Sequence, residues 1–238
     1  MSGNPLIVAL DVESRAEAVR LVERCGERIG FYKVGLELFT AEGPSVVREL
    51  RAAGKRVFLD LKMYDIGETV RRAAARAAEL GVALLTVHCV PQVIRAAVEG
   101  AAGSGMKILA VTVLTSMDQK DLEEIGITGR TPAEQVLWLA SHGLEAGAHG
   151  FVCSPLEVSR LRELAGPGPV LVTPGVRSAG AATHDQKRVA TPAEALAAGA
   201  DYLVIGREIT RAADPAQAAA GILESLASPP YNGFPYPR

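Results

Sequence analysis

The stretch that decides the fold is VFLDLKMYD, which occupies residues 57–65. Its first three residues are apolar and typical of a buried strand, and the alternation of side chains along a strand points Asp60 and Lys62 to the same face. Residues 69–80, which follow, show the apolar spacing of a helix. The stretch therefore predicts a strand–helix unit whose strand ends in charged side chains.

The same unit recurs along the chain. Apolar runs alternate with helical patterns such as Ala16–Arg28, Pro44–Ala53, Pro91–Ala102 and Pro132–Ala146, and most runs begin about 25 residues apart. Eight parallel βα units indicate an α/β fold of the (β/α)8 type, a TIM barrel, as a single domain over residues 1–227, with a doubly wound open sheet as the main competitor. The eight predicted strands are Leu6–Leu10, Phe31–Val34, Val57–Leu61, Leu84–Val87, Ile108–Val113, Gly150–Cys153, Val170–Val172 and Tyr202–Ile205.

Prolines and loop lengths divide the chain further. Two strand–helix connections, Thr115–Arg130 and Gly175–Ala190, are long enough to be functional loops, and we expect the second to act as a lid. Residues Ser228–Arg238 contain four prolines and predict a C-terminal tail outside the barrel. Prolines also mark expected helix starts, at Gly43-Pro44, Thr131-Pro132, Ser154-Pro155, Thr191-Pro192 and Asp214-Pro215.

The composition excludes several classes of function. The 238 residues are 48% hydrophobic and 22% charged, as in a globular protein, and 25 basic against 27 acidic residues favour neither nucleic acid nor an anionic membrane. No apolar run is long enough to span a bilayer, and residues 1–10 lack the basic start of an export signal. Three cysteines without CxxC spacing predict neither disulfides nor a zinc site. We therefore expect a cytoplasmic protein.

Charged residues concentrate at the predicted strand ends, which in a (β/α)8 barrel face the catalytic mouth. The chain has six lysines against nineteen arginines, yet Lys33 falls on a predicted strand and Lys62 at the end of one. A lysine ammonium can neutralise charge and also deliver a proton. Together with Asp60 and Asp65, the two lysines predict an alternating charge cluster, which is either catalytic or a structural salt-bridge network.

The ends of strands seven and eight predict an anion site. Barrel enzymes commonly bind a substrate phosphate here, where Gly175 and Gly206 would let backbone N–H groups approach an oxyanion. Arg177 and Arg207 would add guanidinium donors. The alternative is that the glycines only make tight turns and the arginines are solvated. His88, at the end of strand four, is either catalytic or a packing residue.

Together these residues resemble one known family. The segment DLKMYDI at residues 60–66 is similar to the DxKxxDI signature of the orotidine 5′-phosphate decarboxylase family. The resemblance covers nearly the whole chain and leaves out only the tail. Six further segments resemble the bacterial branch of that family in the same order, at residues 9–11, 33–35, 113–116, 172–177, 185–188 and 204–207.

The resemblance implies an activity and a role for each site residue. The implied reaction is decarboxylation of orotidine 5′-monophosphate to uridine 5′-monophosphate, the last step of de novo pyrimidine synthesis, without a metal or other cofactor. Lys62 would donate the proton to C6 of the pyrimidine, Asp60 would lie beside the departing carboxylate, and Lys33 would orient Asp60 and bind the ribose. The implied substrate contacts are Asp11 at the ribose, Thr115 and Ser116 near the pyrimidine, and Arg177, Gln186, Gly206 and Arg207 at the phosphate.

The resemblance also implies a homodimer with shared active sites. Asp65, with Ile66 and Thr69, would reach into the site of the neighbouring subunit. Gly67-Glu68 stands where the family usually has Pro-Asn, which adds a charge near the expected interface.

Two other functions fit part of the pattern. Sugar-phosphate relatives share the DxKxxD element and use a metal-stabilised enediolate, but Lys33 and the segment around Gln186 argue against them. The second alternative function is that of a barrel that binds a phosphate ligand without catalysing a reaction. The four charged residues of the predicted cluster argue against it.

Overall fold

The computed structural model describes residues 4–178 and 190–227. Eight parallel strands follow one another around a closed barrel, which the pairing of the first strand with the eighth completes. This pairing confirms the (β/α)8 barrel and excludes the open sheet. The strands are β1 (Leu6–Ala9), β2 (Phe31–Gly35), β3 (Arg56–Met63), β4 (Leu84–His88), β5 (Lys107–Val111), β6 (Gly150–Val152), β7 (Val170–Thr173) and β8 (Tyr202–Ile205).

Helices connect successive strands. The helical patterns of the sequence are confirmed with ends shifted by a few residues, and proline is the first residue of α3, α7, α9 and α11 as predicted. The sequence patterns did not predict α2, α6 and α10, which are short. The helices are α1 (Arg15–Cys25), α2 (Leu36–Glu42), α3 (Pro44–Ala52), α4 (Gly67–Glu79), α5 (Pro91–Gly100), α6 (Gln119–Glu124), α7 (Pro132–Glu145), α8 (Val158–Ala165), α9 (Pro192–Ala197), α10 (Arg207–Thr210) and α11 (Pro215–Ala227).

One predicted helix start is wrong. Ser154-Pro155 does not open a helix, because a turn intervenes and α8 begins only at Val158. The Ser154 hydroxyl accepts the Leu156 N–H at 3.3 Å, and its carbonyl accepts the Glu157 N–H at 3.1 Å. These local bonds stabilise the turn in place of a first helical turn.

Two apolar layers hold the barrel together. Side chains that face inward, among them Ile7, Phe31, Phe58 and Leu109, pack with one another inside the barrel. The alternate residues of the same strands pack against the helices in a larger outer layer. These side chains fill the interior, so a ligand would bind at the mouth of the barrel and not inside it.

At the opposite end of the barrel, Arg162 on α8 joins several loops. Its guanidinium donates to the carbonyls of Gly166 at 2.8 Å, Pro169 at 2.9 Å and Gly199 at 2.8 Å, and to the Asp201 carboxylate at 2.7 Å. The Arg162 and Asp201 side chains are 20% and 9% exposed. A charge pair with this many satisfied donors holds the loops that enter β7 and β8.

We expect Arg162→Met to lower the free energy of unfolding by about 3 kcal/mol, because it leaves the buried Asp201 carboxylate without its cation. Urea denaturation measures this loss. The matched control is Arg76→Met, which removes an exposed ion pair with Glu79 and is expected to change stability little. Equal losses in the two variants would contradict the assignment.

Three sequence predictions concern residues outside the described ranges. The tail Ser228–Arg238, Gln186 and most of the predicted lid Gly175–Ala190 lie there, so the domain boundary at residue 227 stays a prediction. Within residues 4–178 and 190–227, no helix is both long and apolar enough to cross a membrane.

Candidate active site

A cavity of about 460 Å³ lies at the carboxyl ends of the barrel strands. Most of its walls come from residues at or near the carboxyl ends of β1, β3, β5, β6, β7 and β8. Lys33 of β2, Glu37 of α2 and Arg211 at the end of α10 complete them. The predicted site residues that line it are Asp11, Lys33, Asp60, Lys62, Thr115, Ser116, Gly175, Arg177, Gly206 and Arg207. The structure thus brings together most of the residues that the sequence pattern singled out.

Strand alternation explains why charged residues of β3 reach this cavity. Phe58 packs in the barrel interior, so Asp60 and Lys62 follow it on the inner side, closer to the mouth. Leu61, between them, packs with the outer layer against the helices. The predicted common face of Asp60 and Lys62 is confirmed.

Four charged side chains form the lysine–aspartate network of the cavity, which consists of Asp11, Lys33, Asp60 and Lys62. The Lys62 ammonium lies 2.9 Å from both carboxylate oxygens of Asp60. The Lys33 ammonium donates to Asp11 at 2.8 Å and lies 3.8 Å from Asp60. The charges therefore alternate, in the order Asp11, Lys33, Asp60 and Lys62.

The inner part of the network is shielded from water. The side chains of Lys33 and Asp60 are each 12% exposed and that of Lys62 is 29% exposed, whereas Asp11 is 59% exposed. Charges that are removed from bulk water interact more strongly, so the network can act on charge that develops on a ligand. All four side chains line the cavity wall, which favours the catalytic interpretation over a purely structural one.

The backbone at Lys62 is unusual. Its φ angle is +46°, the only non-glycine φ in the left-handed region among the described residues. The pairing of β3 with β4 is irregular between Leu59 and Met63, so Lys62 leaves the regular ladder. Left-handed backbone is unfavourable for a side chain of this kind, and such strain clusters at functional sites.

Gly35 makes room for the network. A Cβ atom at this position would lie 2.9 Å from the Lys33 ammonium and 3.3 Å from the Asp11 carboxylate. Any side chain here would push one partner away. Gly35 therefore permits the contact between Lys33 and Asp11 at the end of β2.

The residues of the anion site predicted at β7 and β8 line the same cavity. Gly175 has a φ of +80°, which favours glycine. The Ser178 N–H donates to the Glu208 carboxylate at 3.2 Å and so links the segment after β7 to α10. Arg177 and Arg207 both line the cavity. The cavity wall thus combines the network with guanidinium groups.

Asp65, Ile66 and Thr69 do not join the network of their own chain. Asp65 and Ile66 line a second, more superficial cavity of about 420 Å³, and the Asp65 carboxylate accepts the Ile66 N–H at 2.6 Å. Thr69 is exposed on α4. The expected cluster of Lys33, Asp60, Lys62 and Asp65 is therefore corrected within one chain: Asp11 takes the fourth place, because Asp65 lies in the exposed segment after β3 and its carboxylate bonds to the backbone of its neighbour.

His88 lies near the network without lining the cavity. Its ring is 5.8 Å from the ring of Tyr64. Burial lowers the pKa of His88 below its usual value, and the Lys62 cation lowers it further. His88 is therefore expected to be neutral at physiological pH.

Sequence reasoning missed several residues of the site. Thr86 on β4 contacts both Asp60 and Lys62, and Glu37 and Arg211 line the cavity from helix α2 and from the end of α10. The signal for Thr86 was a polar residue in an otherwise apolar strand interior. Glu37 and Arg211 carry no such signal, because they do not end a strand. Among the described residues, no group of three or more histidine, cysteine, aspartate or glutamate side chains is arranged to hold a metal ion.

The closed barrel and the lysine–aspartate network at its mouth define the chain as a (β/α)8-barrel enzyme. Residues 4–222 match the orotidine 5′-phosphate decarboxylase / HUMPS family. The chain belongs to this family, and the resemblance seen in the sequence is confirmed.

Individual relatives agree with the family assignment. The chain is 50% identical to an orotidine 5′-phosphate decarboxylase of Cereibacter sphaeroides over 95% of this chain and 98% of the relative. It is 52% identical to one of Anaeromyxobacter dehalogenans over 93% and 97% of the two chains. A crystal structure of orotidine 5′-phosphate decarboxylase from Lactobacillus acidophilus superposes with a TM-score of 0.83 at 39% identity, over 94% of this chain and 99% of that one.

Proposed function

We propose that the chain decarboxylates orotidine 5′-monophosphate to uridine 5′-monophosphate, the last step of de novo pyrimidine synthesis, with Lys62 as the proton donor. The observation that carries this proposal is the Lys62 ammonium, held 2.9 Å from both oxygens of Asp60 in the cavity wall. Relatives at about 50% identity over more than nine-tenths of the chain carry the name of this enzyme, which supports the same substrate here.

The proposed reaction moves one pair of electrons and one proton. The bond between C6 and the carboxylate breaks, CO2 leaves, and the electron pair stays on C6 in the plane of the ring. No adjacent π-system delocalises this charge, so its stabilisation depends on a cation fixed in advance beside C6. The Lys62 ammonium meets this need and then transfers its proton to C6.

The other charged residues orient the reacting groups. Asp60 lies beside the departing carboxylate. Lys33 binds the ribose and, together with Asp11, keeps Asp60 in place. The alternation of charges supports these roles. Each lysine of the network contacts a carboxylate, which restrains the position of its ammonium group. Restrained groups lose little entropy when the substrate binds.

Other residues of the cavity wall bind the remainder of the substrate in this proposal. Thr115 and Ser116 contact the pyrimidine, and the phosphate binds to Arg177, Gly206 and Arg207 together with Gln186. The guanidinium groups of Arg177 and Arg207 in the cavity wall support this assignment. Because the phosphate is remote from C6, its binding energy can assemble the site around the pyrimidine.

We also propose a homodimer in which Asp65, Ile66 and Thr69 complete the partner's site. The side chains of Tyr64 and Ile66 are 69% and 71% exposed beside the second cavity. Large apolar side chains that are exposed side by side often mark an interface with another protein. A C2 dimer would bury them and bring Asp65 to the neighbouring subunit.

A cytoplasmic location is part of the proposal. The three cysteines of the sequence, Cys25, Cys89 and Cys153, are all free and buried. Free thiols are the usual state in a reducing compartment.

The purified protein is expected to convert orotidine 5′-monophosphate to uridine 5′-monophosphate, at the same rate with and without excess EDTA. The loss of ultraviolet absorbance measures turnover, and chromatography identifies the product. Absence of turnover would reject the proposed function. Turnover that EDTA abolishes and magnesium restores would instead favour the metal-dependent mechanism of the sugar-phosphate relatives.

A further inference from the structure

Thr86 is a buried polar residue in β4, a strand that reads LLTVH. Its exposed fraction is 0%, and it follows Leu84, which packs in the barrel interior. Alternation therefore points Thr86 to the inner side of the barrel, directly below the mouth. A hydroxyl at such a position destabilises the fold unless it has partners, so its contacts are informative.

Both partners of the Thr86 hydroxyl belong to the catalytic network. Oγ1 lies 2.9 Å from Asp60 Oδ1 and 2.9 Å from the backbone nitrogen of Lys62. The backbone N–H can only donate and an ionised carboxylate can only accept. The hydroxyl therefore accepts from Lys62 and donates its single proton to Asp60.

The irregular pairing of β3 with β4 explains why Lys62 needs this acceptor. Leu59 pairs with Leu85 and Met63 pairs with Val87, so the three residues of β3 between these pairs face the single residue Thr86. The Lys62 N–H thus bonds to the Thr86 side chain at a point where a regular ladder would supply a carbonyl. The bond also fixes the residue whose φ is +46°.

We infer that Thr86 is a positioning residue for the decarboxylation, an inference that rests on the proposed function. Its hydroxyl closes a ring of hydrogen bonds that runs from the Lys62 N–H through Thr86 to Asp60 and back to the Lys62 ammonium. The ring fixes the Asp60 carboxylate and the Lys62 backbone relative to each other. The proton donor and the group beside the departing carboxylate are therefore aligned through one residue that does not line the cavity.

The variant that tests this inference is Thr86→Val, which keeps the shape of the side chain and removes the hydroxyl. We expect kcat to fall about 10- to 100-fold, because small displacements of reacting groups have effects of this size. KM is expected to change by less than about threefold, since Thr86 contributes nothing to the cavity wall that holds the substrate. Thr86→Ser, which restores the hydroxyl, is expected to recover most of kcat.

The matched control is Thr112→Val. Thr112 is also buried in the barrel wall, on the segment that follows β5, and its hydroxyl donates to the Val152 carbonyl at 3.1 Å. The Thr112 hydroxyl and the Thr112 N–H both donate to the Val152 carbonyl, outside the network, so the control loses a comparable bond without the expected loss of kcat. Binding of uridine 5′-monophosphate and thermal unfolding, measured for every variant, show whether the site and the fold persist.

Each outcome decides the inference. The inference is overturned if Thr86→Val keeps the wild-type kcat, or if Thr86→Ser does not recover the kcat that Thr86→Val loses. It is also overturned if Thr112→Val loses as much kcat as Thr86→Val, or if the fall in kcat is matched by weaker binding of the product. If Thr86→Val does not fold, Thr86→Cys replaces it, and wild-type kcat in that variant would also overturn the inference, because S–H is a weak donor. An inactive wild-type protein would instead reject the proposed function, so the two failures are distinguishable.

Discussion

Lys62→Ala is expected to lower kcat for orotidine 5′-monophosphate by about 10⁴-fold or more, because one ammonium supplies both the charge beside C6 and the proton. Without it, the electron pair left by CO2 would face the Asp60 carboxylate with no cation between them. The barrel should stay folded, since the Lys62 side chain lines the cavity and is 29% exposed. Thermal unfolding with and without uridine 5′-monophosphate checks this point.

Lys62→Arg separates the two roles of the ammonium. Arginine keeps the positive charge, but its guanidinium does not release a proton in proteins. If proton transfer to C6 is essential, Lys62→Arg is expected to stay close to Lys62→Ala in kcat. Recovery of most of the wild-type rate by arginine would show that charge alone suffices and would reject Lys62 as the proton donor.

The matched control for these variants is Lys55→Met. Lys55 is also a largely buried lysine, 3.5 Å from the Glu27 carboxylate, and it does not line the cavity. Its replacement removes a lysine–carboxylate pair away from the network, although here the carboxylate is exposed, and kcat is expected to remain unchanged. A large loss of kcat in this control would mean that the Lys62 result reflects general damage to the barrel.

The barrel could be predicted from the sequence because its strands carry a local signal. Runs such as Tyr202–Ile205 are apolar enough to be buried on both faces, and their spacing fits one βα unit. The charged side chains of the site follow the same rule, since Asp60 and Lys62 extend the inner face that Phe58 begins. Position at the end of a strand was therefore sufficient to find most of the charged and hydroxyl side chains of the cavity wall.

The remaining features of the site depend on contacts between distant segments. The role of Thr86 follows from the irregular pairing of β3 with β4, and the need for glycine at position 35 follows from the place where Lys33 meets Asp11. Neither feature has a periodicity that a single sequence reveals. Asp65 was grouped with the network because it follows Lys62 closely, but sequence proximity does not tell on which side of the mouth a turn will leave it.

The exposed position of Asp65 makes a specific prediction about mixed dimers. Asp65→Ala and Lys62→Ala are each expected to be inactive alone, because each homodimer lacks one essential group in both sites. In a mixed dimer, the barrel that retains Lys62 is completed by Asp65 from the Lys62→Ala subunit, so one site is intact. Random mixing in equal amounts is therefore expected to restore about a quarter of the wild-type activity.

The stoichiometry of this experiment separates sharing between subunits from action within one chain. If Asp65 served the barrel of its own chain, every site in a mixed dimer would lack either Asp65 or Lys62, and mixing would restore nothing. Subunits carrying different affinity tags allow the mixed dimer to be isolated, and its activity should reach about half that of the wild type, since one of two symmetric sites is intact. The control mixture pairs Lys62→Ala with Asp60→Ala, whose two lesions lie in the same network of a single barrel, so no site in its mixed dimers is intact. Activity restored in that control as well would point to contamination by wild-type enzyme and would remove the support for a shared site.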